Sequence, residues 1–204
     1  VEIETFPALK LPGIRHGFST RSPSSLDLLD AELMTTFAAA GFPMERAVHA
    51  EQPHGNRVAI VEHEMQERVK DVDALATSLP QLPLVVRVAD CGPVFFYDPV
   101  RRAIAVAHSG RRGTEGNIVA ETIAGMVKHF GSRPGEIVVQ LGPCIRPPRY
   151  EVDFAAEIGR QARAAGVENF YDGGICTARD LSRYYSYRAE RGKTGRMWGV
   201  LTLE

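Results

Sequence analysis

Residues 89–114 read ADCGPVFFYDPVRRAIAVAHSGRRGT, and the way the two strands in this stretch pair decides how the rest of the chain is read. Residues 94–97 and 103–107 are rich in β-branched and aromatic side chains, the composition of strands. Asp98-Pro99 opens the connection between them. Aspartate at the first turn position and proline at the second suit a type I turn, because proline presets the backbone angle there. Centred on Pro99 and Val100, the turn pairs residues whose numbers sum to 199. Cys91 and His108 then face one another with Cβ atoms roughly 5 Å apart. A thiol and an imidazole so placed serve as ligands of one metal ion or as a nucleophile and its base. A buried thiol beside a hydrogen-bonded histidine is the plain structural alternative. A slip of one residue would put the two side chains on opposite faces.

Composition narrows the classes. The chain has 204 residues, 44% of them hydrophobic, enough for one sizeable domain or two small ones. A formal net charge of -1 gives the whole molecule no bias toward nucleic acid or anionic membrane. No 18-residue apolar run is present, which argues against a transmembrane helix. The opening VEIETFPALKLPG has neither the basic end nor the apolar core of a signal peptide. Three cysteines without CxxC spacing fit a reducing cytoplasm better than a disulfide framework.

Upstream of the hairpin, the apolar run 84–89 predicts a strand buried on both faces that delivers Asp90 and Cys91 to its end. Asp73 precedes Ala-Leu-Ala and is read as a helix cap in preference to a carboxylate behind a ligand. His54 stands between Pro53 and Gly55, just before a strand predicted over 57–62. Backbone freedom on one side and a rigid anchor on the other suit a ligand, with a surface-loop histidine as the alternative. His49 and His63 carry no spacing signal and read as structural; His16 reads equally as a core or turn histidine. Ser25 is placed to cap a helix over 26–40, with Leu28, Leu29, Leu33 and Phe37 on one stripe and Gly41 as its stop.

Downstream, Arg111 and Arg112 lie among glycines, which predicts a flexible basic loop leading into a helix over 117–130. Backbone N–H groups and a helix N-terminus beside arginines make an anion site; a solvated surface loop is the alternative. A strand over 136–141 and a helix over 153–165 follow. Cys144 and Cys176 read as buried structural thiols. In the tail, Arg188 and Arg196 either add to the anion site or pair with surface carboxylates, and a last strand covers 197–203. Strands and helices that nearly alternate argue for a single α/β-type domain.

Several segments together carry a resemblance: HGFSTR (16–21), Q-x-HG (52–55), DVDALAT (71–77), ADCGPVFFYDP (89–99), AHSGRRGT (107–114), LGPCI (141–145), YEV (150–152) and CT…YYSYR…TGR (176–196). In this order they resemble the YfiH family, also described as laccase-domain, polyphenol oxidase or peptidoglycan-editing-factor proteins. The resemblance implies an α+β fold: a single domain over 1–204 in which two packed mixed sheets are covered by helices, related to a class of cysteine-dependent deamidating toxins. It implies metal ligands at His54, Cys91 and His108, which are then also the catalytic residues. It implies zinc-dependent purine nucleoside phosphorylase activity, in some members with adenosine deamination, and a copper-dependent phenol oxidase activity has also been ascribed to the family.

Two imidazoles and a thiolate suit zinc, with copper as the other candidate, and three protein ligands leave a fourth position open. On this reading Arg111 and Arg112, together with Arg188, hold the phosphate, and the partners are a nucleoside and phosphate rather than nucleic acid or membrane. The chain departs from the family at Arg111, where tryptophan is usual, at the shorter loop after Arg21, and at Ala189, where arginine is usual. Competing readings are a metal-free cysteine hydrolase or deamidase built on Cys91 and His108, and a non-catalytic partner of cell-envelope or division factors.

Overall fold

A computed structural model describes residues 1–22, 29–64 and 68–204. In chain order the strands are β1 (Ile3–Glu4), β2 (Ile14–Ser19), β3 (Val48–His49), β4 (Val58–Ile60), β5 (Ala74–Thr77), β6 (Leu84–Val88), β7 (Gly92–Asp98), β8 (Ala103–Ser109), β9 (Val138–Leu141), β10 (Asn169–Asp172) and β11 (Met197–Leu203). The α-helices are α1 (Leu29–Ala39), α2 (Arg111–Glu115), α3 (Ile118–Phe130) and α4 (Phe154–Ala164). One sheet has the order β1-β2-β11-β6-β3 and the other β10-β9-β7-β8-β5-β4. The pairs β3–β6, β4–β5 and β9–β10 are parallel and the rest antiparallel, so both sheets are mixed. Alternating elements therefore do not build the parallel α/β sheet that their order suggests. They build the α+β arrangement, because hairpins such as β7–β8 return antiparallel within one sheet.

The layers follow from side-chain alternation. On β7 and β8, Phe95, Tyr97, Ile104 and Val106 point into the core between the sheets, with Val86, Val88, Phe18 and Leu201. Their neighbours Val94, Phe96, Ala103, Ala105 and Ala107 point the other way, into a second core with Ile118, Ile123, Met126 and Ile158 of α3 and α4. The alanines on that face, with Ala74 and Ala76 of β5, leave room for α3 to lie close. On the far side of the first sheet, Phe37 of α1 stacks on Trp198 at 6.5 Å. The sheets approach so closely that a Cβ on Gly199 would lie 2.8 Å from the Phe95 ring. Each large apolar side chain buried here contributes about 1.5–3 kcal/mol.

Three readings of the sequence are corrected. The hairpin pairs Pro93 with His108 and Gly92 with Ser109, so partner numbers sum to 201, not 199. The connection is four residues long because Asp98 Oδ1 accepts from both the Val100 and Arg101 N–H at 2.9 Å and Arg102 takes a left-handed φ of 49°. The shift is two residues, so parity is kept and Cys91 and His108 remain diagonal neighbours on one face. Asp73 caps no helix: Ala74–Thr77 is the strand β5, paired with β4 and β8, and pairing on both edges overrides the helix preference of alanine. Residues 111–115 are the helix α2 rather than a loop, with Thr114 N–H bonding to Gly110 O at 2.8 Å and Arg111 paired with Glu115 one turn on. Asn117, at φ 58°, separates it from α3. The strand β10 was not foreseen; it adds parallel to β9 at the sheet edge. Ser25, Leu26 and Leu28 lie outside the described residues, as does the side chain of Leu29; Leu33 and Phe37 are buried as expected.

Candidate metal centre

The three expected ligands come from three separate turns or strands. His54 lies in the turn between β3 and β4, Cys91 in the three-residue link between β6 and β7, and His108 near the end of β8. Each offers one ligand atom, and these atoms all lie within 4.8 Å of one another. The His54 and His108 rings meet edge to face with centroids 4.7 Å apart. A Cβ on Gly110 would come within 2.7 Å of Cys91 Sγ, so a glycine is required opposite the thiol.

Asp73 organises this cluster. Its carboxylate is fully buried and accepts the His54 N–H at 3.0 Å, the Gly55 N–H at 2.6 Å and His108 Nδ1 at 2.8 Å. Its carbonyl also accepts the His108 N–H at 2.7 Å. Two backbone donors and one ring nitrogen thus fix a chain segment in which Gln52 and His54 both adopt φ 66°. That conformation costs of order 1 kcal/mol or more per residue and persists only where its surroundings enforce it. Gln52 supplies a second anchor, donating from Nε2 to Arg87 O at 2.7 Å and accepting the Arg87 N–H at 2.9 Å. Asp90, at φ 86°, accepts from Thr177 Oγ1 and from the Arg188 N–H, both at 2.7 Å, and so sets the exit angle of the link that carries Cys91.

These contacts set the charge states. Burial pushes the Cys91 thiol up, but hydrogen bonds to His108 and His54 outweigh it and bring its pKa to about 6. Burial pushes His108 down, and the Asp73 carboxylate followed by the Cys91 sulfur carries it up to about 9. In the metal-free chain the pair is a thiolate beside an imidazolium at neutral pH. The thiolate is the ligand form of cysteine, and with Nδ1–H held by Asp73, Nε2 of His108 is the nitrogen that would coordinate on releasing its proton. A carboxylate behind a ligand histidine is the usual support for a metal-binding imidazole. The donor set of two imidazoles and one thiolate fits zinc or copper. Among the described residues this is the one cluster of three such donors.

The cluster opens into a cleft of about 970 Å³ lined by, among others, Gln52, Arg87, Arg111, Tyr150, Tyr187, Arg188 and Arg196. Of the expected phosphate residues, Arg111 and Arg188 line the cleft and Arg112 does not, because α2 turns it away to an exposed position. Arg188 lies over the Tyr150 ring at 4.6 Å and forks onto Glu151 at 3.0 and 3.2 Å. Asp73 is the carboxylate behind a ligand, the alternative that its sequence context ranks below a helix cap, whereas Gln52 was missed as a supporting residue and Arg87 as a lining residue. Cys144 and Cys176 are buried and are not among the cluster's donors, and burial pushes Cys144 up to about 12, so it is an inert thiol.

A family model described as multi-copper polyphenol oxidoreductase laccase matches residues 29–156 and 152–204. The chain is 32% identical to the purine nucleoside phosphorylase of Deinococcus radiodurans, over 97% of this chain and 93% of that one. It is 30% identical to the purine nucleoside phosphorylase YlmD of Bacillus subtilis, over 77% of this chain and 70% of the relative. Among solved structures, YlmD from Geobacillus stearothermophilus superposes with a TM-score of 0.85 at 26% identity, covering 98% of this chain and 94% of that one. The hypothetical protein YfiH of Bacillus licheniformis gives 0.83 at 22% identity, covering 96% and 98%, and shares the fold.

Proposed function

The chain belongs to this laccase-like family, to which YfiH and YlmD point, and from that premise we propose that it is a zinc-dependent purine nucleoside phosphorylase acting on adenosine or a related nucleoside. The observation that carries the reading is the convergence of His54, Cys91 and His108, with Asp73 behind them, at the floor of a cleft rimmed by aromatic rings and arginines. Two relatives named purine nucleoside phosphorylase support the substrate class.

Zinc held by the three ligands supplies Lewis-acid polarisation. The residues of the chain do the rest. Asp73 keeps the proton on His108 Nδ1, so Nε2 is the ring nitrogen that would give up its proton and offer a lone pair to the metal. Tyr150 and Tyr187 offer faces for a purine ring, and arginines of the cleft neutralise phosphate. In the reaction a phosphate oxygen forms a bond to C1′ as the bond from C1′ to the purine nitrogen breaks. The electron pair leaves with the base, which takes up a proton, and ribose 1-phosphate remains. Deamination of adenosine is the secondary activity in this reading, with water replacing the amino group at C6. Phenol oxidation is the weaker assignment, because four-electron reduction of dioxygen needs several coppers and one cluster of this kind is present among the described residues. The chain acts as a single domain, and the small count of free cysteines supports a cytoplasmic setting.

The metal-free alternative has its own support in the pairing of a thiolate with an imidazolium at Cys91 and His108. Adenosine incubated with zinc-loaded protein and phosphate separates the outcomes by chromatography. Adenine is expected; inosine without adenine indicates deamination. Neither product across adenosine, guanosine, inosine and methylthioadenosine overturns the assignment and favours the non-catalytic partner role.

A further inference from the structure

The arginines that line the cleft are of two kinds. Arg111 is matched by Glu115 at 3.0 Å and Arg188 by Glu151 at 3.0 Å, so each already has its carboxylate. Arg87 has none. It is half-buried on β6, its Nε is buried without a hydrogen-bond partner, and among the described residues no carboxylate lies within ion-pair distance of it. Arg196 also lacks a carboxylate among the described residues; its Nη1 donates to the carbonyls of Thr194 and Gly195 at 3.3 and 2.9 Å, and it lies over the Tyr187 ring at 5.8 Å. Trp198 is the cross-strand partner of Arg87, Arg196 stands one residue before β11, and both arginines line the cleft.

Three carboxylates also line the cleft, and none is ion-paired with Arg87 or Arg196: Asp90 accepts from Thr177 Oγ1 and the Arg188 N–H. Asp30 is 3.8 Å from Arg68, and Glu51 accepts the Asp71 N–H at 2.7 Å. Taking an unpaired charge out of water is expensive. Burial, and then repulsion from Arg68, holds Arg87 below the ordinary arginine pKa; the Asp30 carboxylate offsets this only in part, and Arg196 pushes it down further. Arginine does not relieve this by losing its proton. An anion entering the cleft relieves it, with the planar guanidinium forks matching its oxygens.

We infer that Arg87 and Arg196 form the oxyanion subsite of the cleft and that its ligand is inorganic phosphate. This takes the identity of the anion from the phosphorolysis reading, whereas the subsite itself stands on two cleft-lining guanidinium groups that have no carboxylate partner among the described residues. Arg111 and Arg188 then serve mainly to hold Tyr150, which both contact.

The test is calorimetric titration of zinc-loaded protein with inorganic phosphate, without nucleoside, alongside the steady-state KM for phosphate. In Arg87→Gln and Arg196→Gln the phosphate Kd is expected to rise roughly tenfold or more, with zinc content unchanged. Arg87→Lys is expected to recover part of the affinity. In wild-type protein, phosphate is expected to protect Arg87 from phenylglyoxal, a readout that needs no variant to fold. Unchanged phosphate affinity in both glutamine variants, loss of affinity in Arg111→Gln instead, or no protection of Arg87 overturns the subsite. Phosphate binding that depends on Arg87 and Arg196 without any phosphorolysis keeps the subsite and refutes the phosphorylase reading. Phosphorolysis with a phosphate KM insensitive to both residues does the reverse.

Discussion

His16 and His108 are both buried central-strand histidines, 6% and 3% exposed, yet they differ in charge. His16 on β2 accepts the Phe6 N–H at Nε2, 2.7 Å away, and stacks on the Phe6 ring at 5.8 Å. Burial holds it down to about 4, and it is neutral. His49, edge-on to Trp198 at 5.1 Å, is likewise held to about 4, chiefly by burial and then by Arg87. His108 suffers the same burial, but Asp73 and Cys91 raise it to about 9. Burial alone therefore does not make a histidine structural. A buried carboxylate behind the ring and a thiol in front of it are what separate the chemical end of the molecule from the packed end.

Removing the carboxylate should break this distinction most severely. Asp73→Ala leaves two backbone N–H groups and a ring nitrogen without their acceptor, and losing one member of such a buried pair costs about 3–5 kcal/mol. Thermal unfolding should show a large fall in Tm. Asp73→Asn keeps the shape but loses the charge, and there metal affinity should fall roughly 10–100-fold. Unchanged zinc affinity in Asp73→Asn would mean that the carboxylate is only a structural anchor.

Substituting the ligands tests the front of the ring. Cys91→Ser and His54→Ala should both be nearly inactive in nucleoside phosphorolysis, because serine is a far less acidic ligand and two remaining donors hold zinc poorly. Retention of much of the activity by His54→Ala would favour the Cys91–His108 dyad. By contrast, His16→Gln keeps an acceptor for Phe6 N–H, so it should cost about 1 kcal/mol in stability and leave zinc content at the wild-type value.

Acid separates the two classes next. Below about 6.5 an unfolded chain protonates His16 and His49, whereas the folded chain does so only near 4. The unfolded state therefore binds more protons between these values, and stability falls as pH falls through that window. The gap for His16 alone corresponds to roughly 3 kcal/mol. Denaturant titrations at pH 7 and pH 4.5 should show the loss, and His16→Gln should reduce it.

The subtlest difference lies in the thiol itself. In metal-stripped protein, iodoacetamide labelling of Cys91 should be half-maximal near pH 6 and plateau above it, since the thiolate is the reacting form. Half-maximal labelling near pH 9 would show that the imidazoles do not stabilise the thiolate. Cys144, buried and raised to about 12, should stay unlabelled throughout.

Much of this was legible in the sequence, for identifiable reasons. The last strand was read with its observed bounds, Met197–Leu203, since a glycine-containing turn precedes an uninterrupted apolar run. Cys91 and His108 were paired despite a wrong register, because the error was even and side chains alternate with period two. Asp73 was misread because Ala-Leu-Ala is as good a helix as a strand until its neighbours β4 and β8 are known. Nothing local marks Arg87 either: its isolation from carboxylates is a property of the assembled cleft. Arg112 was grouped with Arg111 by adjacency, which fails once the segment coils into α2.

The central claim is that His54, Cys91 and His108 hold one metal ion on which turnover depends. Elemental analysis of protein purified without added metal, beside the His54→Ala variant, tests it most directly. The account predicts about one zinc per chain in the wild type and almost none in the variant. Wild-type protein that carries no metal yet still splits adenosine with phosphate would contradict it.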